Sequence, residues 1–136
     1  MFTSETKVRV RYGETDKMGY LYYGFYALYY EVGRVEMLRD VGLSYRMMED
    51  ELHVAMPVMN MHCQYLRPAY YDDLLTVKTR VEKFPERDIV FYSDIYNEKD
   101  KLINSGSVKL AFIDMKTGRR LNCPEVILEK MRPFFD

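Results

Sequence analysis

The chain has 136 residues, a net charge of −1 and an apolar fraction of 48%. That length suits one domain over residues 1–136, large enough to bury roughly two-thirds of its unfolded surface without disulfide or metal staples. A charge so near balance argues against nucleic-acid binding, which carries a basic excess, and no apolar run approaches the ~20 residues that cross a bilayer.

Residues 1–7 lack a basic stretch followed by an apolar core, so they do not read as a secretory signal. The cysteines are Cys63 and Cys123, and neither lies in a C-x-x-C motif. A cytoplasmic location with reduced thiols is the expectation. The composition is rich in aromatics, with 13 Tyr, 7 Phe and no Trp, and it includes 10 Met. Tyrosine joins a flat apolar body to a polar tip, and Met is deformable. An aromatic core is one reading; subunit contact or a pocket for an apolar group is the other.

In chain order, residues 5–12 carry Val8, Val10 and Tyr12 at alternate positions with Lys7, Arg9 and Arg11 between them, the pattern of a half-buried strand. A glycine-containing loop from 13 to 19 follows. Over residues 22–39 the period becomes helical, with Phe25, Leu28, Tyr29, Val32, Val35, Met37 and Leu38 as the core set. Gly24 and Gly33 each weaken such a helix by ~1 kcal/mol relative to Ala, so packing must hold it, and Gly33 lets it approach a sheet. Gly42 reads as its stop, and Ser44 as the N-cap of a short helix reaching about residue 51.

The remainder reads mainly as strand. Residues 53–66 are apolar and mixed, with Pro57 marking an edge or bulge. Leu75, Val77, Thr79 and Val81 alternate, as do Ile89, Phe91 and Ile95 with Val90, Tyr92 and Tyr96. Residues 97–100 form a turn. Val108, Leu110 and Phe112 lie in the next strand, which ends at the turn of residues 116–118. Pro124 opens a short terminal helix containing Val126, Ile127 and Met131, as its first helical residue. Strands joined by short turns pair antiparallel. One long helix against one curved antiparallel sheet is an α+β layer architecture.

The loop holds the chemistry. Tyr12-Gly13-Glu14-Thr15-Asp16-Lys17-Met18-Gly19-Tyr20 places a carboxylate just before the aromatic-rich helix that includes Tyr22, Tyr23, Phe25 and Tyr26. The first N–H groups of a helix are free to stabilise an anion or a developing oxyanion. A carboxylate beside such a donor is the minimum equipment for attacking an acyl group. A capping role for Asp16 in its loop is the alternative. Continuation of the strand period points Glu14 at solvent, with a supporting role at most. Glu31 and Arg34, at i, i+3 spacing, read as a helix-surface pair. His53 and His62 make no metal-ligand pattern with either cysteine, and the Asp72-Asp73 pair reads as a turn, so no metal is expected.

These residues carry a resemblance. Tyr12, Glu14, Thr15, Asp16, Gly19, Leu21 and Tyr26, followed by Glu31 and Arg34, match the signature of the hotdog-fold acyl-CoA thioesterases, specifically the 4-hydroxybenzoyl-CoA thioesterase family. A second stretch, Tyr65-Leu66-Arg67-Pro68-Ala69-Tyr70-Tyr71-Asp72-Asp73, resembles that family's link between its second and third strands. The order of elements fits nearly end to end.

The resemblance implies a hotdog fold, a sheet wrapped around the long helix, and subunits paired as a homodimer or a tetramer of dimers with active sites at the interface. It implies hydrolysis of an acyl-CoA or acyl-carrier-protein thioester with no separate cofactor. Asp16 takes the catalytic carboxylate position, as nucleophile or general base. Tyr23 supplies a backbone N–H to the thioester oxygen, a contribution of ~3 kcal/mol, at a position where one branch of the family has His. Gly19 and Tyr26 are assigned to substrate binding. Coenzyme A needs cations for its phosphates; Arg67, Lys83, Arg87, Lys109, Arg119 and Arg120 are available, and Arg87 is the assigned one. Two other classes are weighed. A hotdog module that binds thioesters without turnover is disfavoured by the Asp16 loop. A 3-hydroxyacyl thioester dehydratase needs a His base that the loop–helix motif lacks.

Overall fold

The computed structural model describes residues 1–135. Its strands are β1 Phe2–Arg9, β2 Val54–Ala55, β3 Val58–Tyr65, β4 Leu74–Val81, β5 Asp88–Tyr96, β6 Leu102–Asp114 and β7 Arg120–Leu121; its helices are α1 Tyr26–Asp40, α2 Tyr45–Asp50 and α3 Glu125–Met131. The strands form one antiparallel sheet that runs β1-β4-β5-β6, with β2, β3 and β7 each paired to β6. Helix α1 packs on β1, β4 and β5. This is the α+β arrangement expected, one long helix against one antiparallel sheet.

The core is the inward face of that sheet. Leu75, Val77 and Val81 of β4, Ile89, Phe91 and Ile95 of β5, and Ile103, Val108, Leu110 and Phe112 of β6 are buried. The period-2 pattern places them on one face, except Ile103, which is the extra residue where the β5–β6 register shifts. At Gly33 α1 approaches the sheet closely: a Cβ there would lie 2.8 Å from Val77 Cγ1 and would also collide with Thr79 Oγ1. The expected role of Gly33 is thus seen directly.

Several boundaries differ from expectation. The first strand runs from Phe2 to Arg9, and Tyr12 instead opens a 3-10 turn, Tyr12–Glu14. The chain leaves β4 there: after Arg9↔Leu74 only the bonds of Val10 to Asp73 O (2.9 Å) and of Asp72 N–H to Val10 O (3.0 Å) continue the contact. Ser44 caps α2 as expected, its hydroxyl oxygen accepting from Met47 N–H at 3.1 Å. Gly42 ends α1 at φ +81°. Pro57 separates β2 from β3, and a bulge follows at Val58/Asn60. Pro124 is the N-cap of α3 rather than its first helical residue. The two-residue β2 lies within the stretch 53–66 expected as strand, whereas β7 had no signal, being too short to show a period.

The buried stripe of α1 also differs. It consists of Tyr26, Tyr29, Tyr30, Gly33, Arg34, Met37 and Leu38. Leu28 and Val32, expected in the core, are 47% and 37% exposed. Tyrosine hydroxyls explain the choice. Tyr30 Oη donates to Asn104 Oδ1 and lies 3.2 Å from Cys63 Sγ, and Tyr29 Oη donates to Glu14. A buried tyrosine needs such partners, and only this face meets them.

Candidate active site

Bridges between Thr15 and Leu21 and between Tyr20 and Tyr70 close the loop on itself and dock it beside the β3–β4 link. Inside it, Asp16 N–H donates to Tyr20 O at 2.8 Å, and Gly19 N–H donates to Asp16 O at 2.9 Å. Gly19 sits at φ +81°, the left-handed region that glycine enters without penalty. The Asp16 side chain is held by one oxygen: Oδ1 accepts from Met18 N–H (2.9 Å) and Tyr20 N–H (3.1 Å). Oδ2 has no hydrogen bond among the described residues. The loop thus fixes the carboxylate and leaves one of its oxygens free.

A 3-10 turn, Tyr23–Phe25, leads into α1, so the α-helix itself begins at Tyr26 rather than near residue 22 as expected. Tyr22 N–H is taken by Glu14 O (2.9 Å) and Phe25 N–H by Tyr22 O (3.0 Å). The N–H groups of Tyr23 and Gly24 donate to nothing among the described residues. They are the orphan donors of a helix start. From the other side, Tyr65 Oη at the end of β3 donates to Tyr23 O at 3.1 Å and fixes the Tyr23–Gly24 peptide, which carries the Gly24 N–H.

Asp16, Tyr23 and Tyr26 line one cleft of about 590 Å³, a size typical of small-molecule sites. Its walls are Lys17, Met18, residues 20–22 and residues 65–68. Most of that lining is aromatic or aliphatic. Tyr26, 3% exposed, forms part of the wall. Burial, with a smaller contribution from nearby Cys63, pushes its hydroxyl up from 10.0 to about 12.

That shift makes a prediction. The folded state keeps a proton on Tyr26 that the unfolded chain releases near pH 10, and burial raises Tyr29 and Tyr30 in the same direction. The contribution to stability is therefore complete below pH 10 and is lost as pH rises through about 12. Thermal midpoints followed by circular dichroism are expected to hold steady below pH 10 and to fall above it, and Tyr26→Phe to flatten the fall. An equal slope in Tyr26→Phe would remove Tyr26 as a contributor.

The other assigned residues lie as follows. Gly19 shapes the loop without lining the cleft. Arg87 lines a separate depression with Lys83, Phe84 and Pro85, while Arg67 lines the Asp16 cleft. Lys17, not anticipated, lines it too. Two expectations are corrected. Glu14 does not face solvent: it is 9% exposed, because the 3-10 turn replaces the strand period before that position and rotates it inward. Glu31 and Arg34 form no ion pair; Arg34 is 6% exposed, and its Nε donates to Tyr45 Oη at 2.9 Å. Arg34 projects from the same stripe as Tyr30 and Met37, toward α2, while Glu31 is exposed.

A sheet laid across one long helix, with a carboxylate loop at the helix start, defines the hotdog class of thioester-handling proteins. Residues 10–131 match the model of the thioesterase-like superfamily, and the chain belongs to that family. It is a thioester hydrolase. It is 35% identical over 107 residues to the acyl-CoA thioester hydrolase YbgC of Escherichia coli O6:H1, which covers 79% of each chain. Among solved structures, the DHNA-CoA thioesterase of Staphylococcus aureus superposes with a TM-score of 0.92 at 33% identity, covering 98% of this chain and 91% of the other. A 4-hydroxybenzoyl-CoA thioesterase bound to 4-hydroxybenzoyl-CoA gives 0.86 at 18% identity over 96% and 99%, a likeness of fold.

Proposed function

We propose that the chain hydrolyses acyl-CoA thioesters to free acid and thiol at the Asp16 cleft. The observation that carries this is the meeting of a carboxylate with one free oxygen and an unbonded helix-start N–H on a single, largely apolar cleft. The thioester carbonyl is poorly stabilised by resonance, so this pair suffices without a Ser-His-Asp triad. Attack by Asp16 Oδ2, or by a water that passes its proton to Asp16, forms a tetrahedral oxyanion. Tyr23 N–H stabilises that charge where it develops, and collapse expels the thiolate. In the first route the resulting anhydride is then hydrolysed. In a single turnover in ¹⁸O-water, label in the protein identifies attack by Asp16 followed by hydrolysis at the Asp16 carbonyl, whereas water attack at the acyl carbon puts the label in the product on either route. Neither His53 nor His62 lines the cleft, which leaves a dehydratase without its base.

The test is thiol release from benzoyl-, 4-hydroxybenzoyl-, butanoyl- and palmitoyl-CoA and from an acylated carrier protein. Release from none of them would defeat the proposal. The two cations on the cleft, Lys17 and Arg67, suit the phosphates of coenzyme A or the acidic surface of a carrier protein. Arg67→Gln is expected to raise KM for the active acyl-CoA about tenfold, the scale of one charge-assisted hydrogen bond. The same acyl group on N-acetylcysteamine, which lacks phosphate, should show no change. An equal effect on both substrates would dissociate Arg67 from the phosphates.

The working unit we infer is a homodimer or a tetramer of dimers. Strand β3 pairs only with β6 among the described residues, and Val58, Met59, Met61 and Tyr65 on it are exposed. An apolar free edge of that kind invites a second strand. The strand ends at Tyr65, which with the following Leu66 forms part of the cleft wall, and this supports a site close to the inferred subunit contact.

A further inference from the structure

Glu14 is a buried carboxylate that the reaction as drawn does not use. Burying one is costly unless its oxygens are bonded, and here they are. Oε1 accepts from Tyr29 Oη at 2.6 Å and from Arg11 N–H at 3.1 Å, and Oε2 lies 3.9 Å from the Arg11 guanidinium. The Glu14 carbonyl accepts from Tyr22 N–H at 2.9 Å. One residue therefore ties the exit of β1, the buried stripe of α1 and the Leu21–Tyr22 peptide. Asp16 lies two residues further on.

The bonds have a direction. Tyr29 stands on the first turn of a helix whose same buried face packs on the sheet one turn later at Gly33, so its hydroxyl is a fixed point. Burial, and then the hydrogen bond to Glu14, hold that hydroxyl well above the usual tyrosine range, so it stays a donor. Among the described residues Asp16 itself bonds only within its own loop, through Met18, Gly19 and Tyr20, and that loop is docked against the β3–β4 link by the Tyr20–Tyr70 bridge and by Leu21 N–H on Ala69 O at 2.7 Å. Internal bonds set the shape of the loop. The bond from Glu14 to Tyr29 sets where that shape sits against the helix start.

We propose that Glu14 and Tyr29 are a positioning pair that holds the Asp16 loop in register with the start of α1; this rests on Asp16 being the catalytic carboxylate. The pair touches no reacting atom and acts through Asp16.

The test uses the full chain and the fastest substrate among the four acyl-CoAs named above. Tyr29→Phe removes one hydroxyl and leaves the ring buried. Glu14→Asp shortens the reach by one methylene. Each is expected to lower kcat about tenfold with KM within twofold, at temperatures well below its thermal midpoint. Glu14→Gln keeps an acceptor oxygen at the same reach and is expected to stay within threefold of the parent. In the Asp16→Asn background, Tyr29→Phe should cost less than twofold further, because groups acting as a unit are not additive. An unchanged kcat in both Tyr29→Phe and Glu14→Asp overturns the pairing, as does a tenfold loss that persists in the Asp16→Asn background. Should Tyr29→Phe fail to fold, the contrast between Glu14→Asp and Glu14→Gln decides alone: equal rates overturn the proposal. If Asp16→Asn itself retains full activity, or no acyl-CoA is hydrolysed, the reading of Asp16 has failed and this proposal falls with it. Loss in Asp16→Asn alone leaves that reading intact and removes only the pair.

Discussion

Asp16→Asn is expected to lower kcat by ~10²-fold or more, the scale of losing a nucleophile or general base, with little change in thermal midpoint. The geometry explains why this substitution is clean. Asp16 Oδ1 accepts from Met18 and Tyr20 N–H, and an asparagine oxygen takes over both bonds. Only the free Oδ2 is replaced, by an amide nitrogen that neither attacks nor accepts a proton. Asp16→Ala differs, because it also removes the two loop bonds, worth about 1 kcal/mol each. It should lose activity and thermal midpoint together. Steady-state kinetics and calorimetry on both variants separate chemistry from loop structure. Full activity in Asp16→Asn would mean that the carboxylate only caps its loop.

The elements that the sequence made legible are those whose pattern is set locally. The Asp16 loop is marked by Gly19 and by the change from a strand period to a helical one, and it forms as read. Ser44 and Gly42 announce helix ends through cap chemistry that involves only near neighbours. Pro57 marks the interruption between β2 and β3 for the same reason. The misread residues depend on distant partners. Glu14 is drawn inward by Tyr29, fifteen residues on. Arg34 is taken from Glu31 by Tyr45 of α2. Leu28 and Val32 lost the inner face of α1 to residues that include Tyr29 and Tyr30, because Glu14, Asn104 and Cys63 offer the hydroxyl partners that a leucine face cannot use. No hydrophobic period encodes that preference. The cleft itself is the meeting of residues 16–26 with residues 65–68, and only the resemblance joined those two stretches beforehand.

The largest structural effect is expected from Gly106→Ala. Gly106 lies in β6 opposite Cys63 of β3 and beneath the ring of Tyr30. A Cβ there would lie 2.7 Å from Tyr30 Cε2 and would collide with the Tyr30 hydroxyl and the His62 carbonyl oxygen. The ring can swing only by giving up Asn104, and the carbonyl can move only if β3 leaves β6. Such overpacking costs about 3 kcal/mol, the upper end of its usual range, a fall in thermal midpoint on the order of 10 °C for a domain of this size. Gly13→Ala is the control, since a Cβ at 13 meets nothing within 4 Å. Activity should fall as well, through a definite route. Displacing β3 moves Tyr65, whose hydroxyl holds the Tyr23 carbonyl at 3.1 Å, and so disturbs the 3-10 turn that begins at the proposed Tyr23 N–H donor. Adding Tyr30→Phe to Gly106→Ala removes the hydroxyl clash but not the carbonyl one, so partial recovery of the midpoint is expected. A Gly106→Ala protein as stable as the parent would show that β3 shifts at no cost, and the Tyr65 bond would then have no part in fixing the Tyr23–Gly24 peptide.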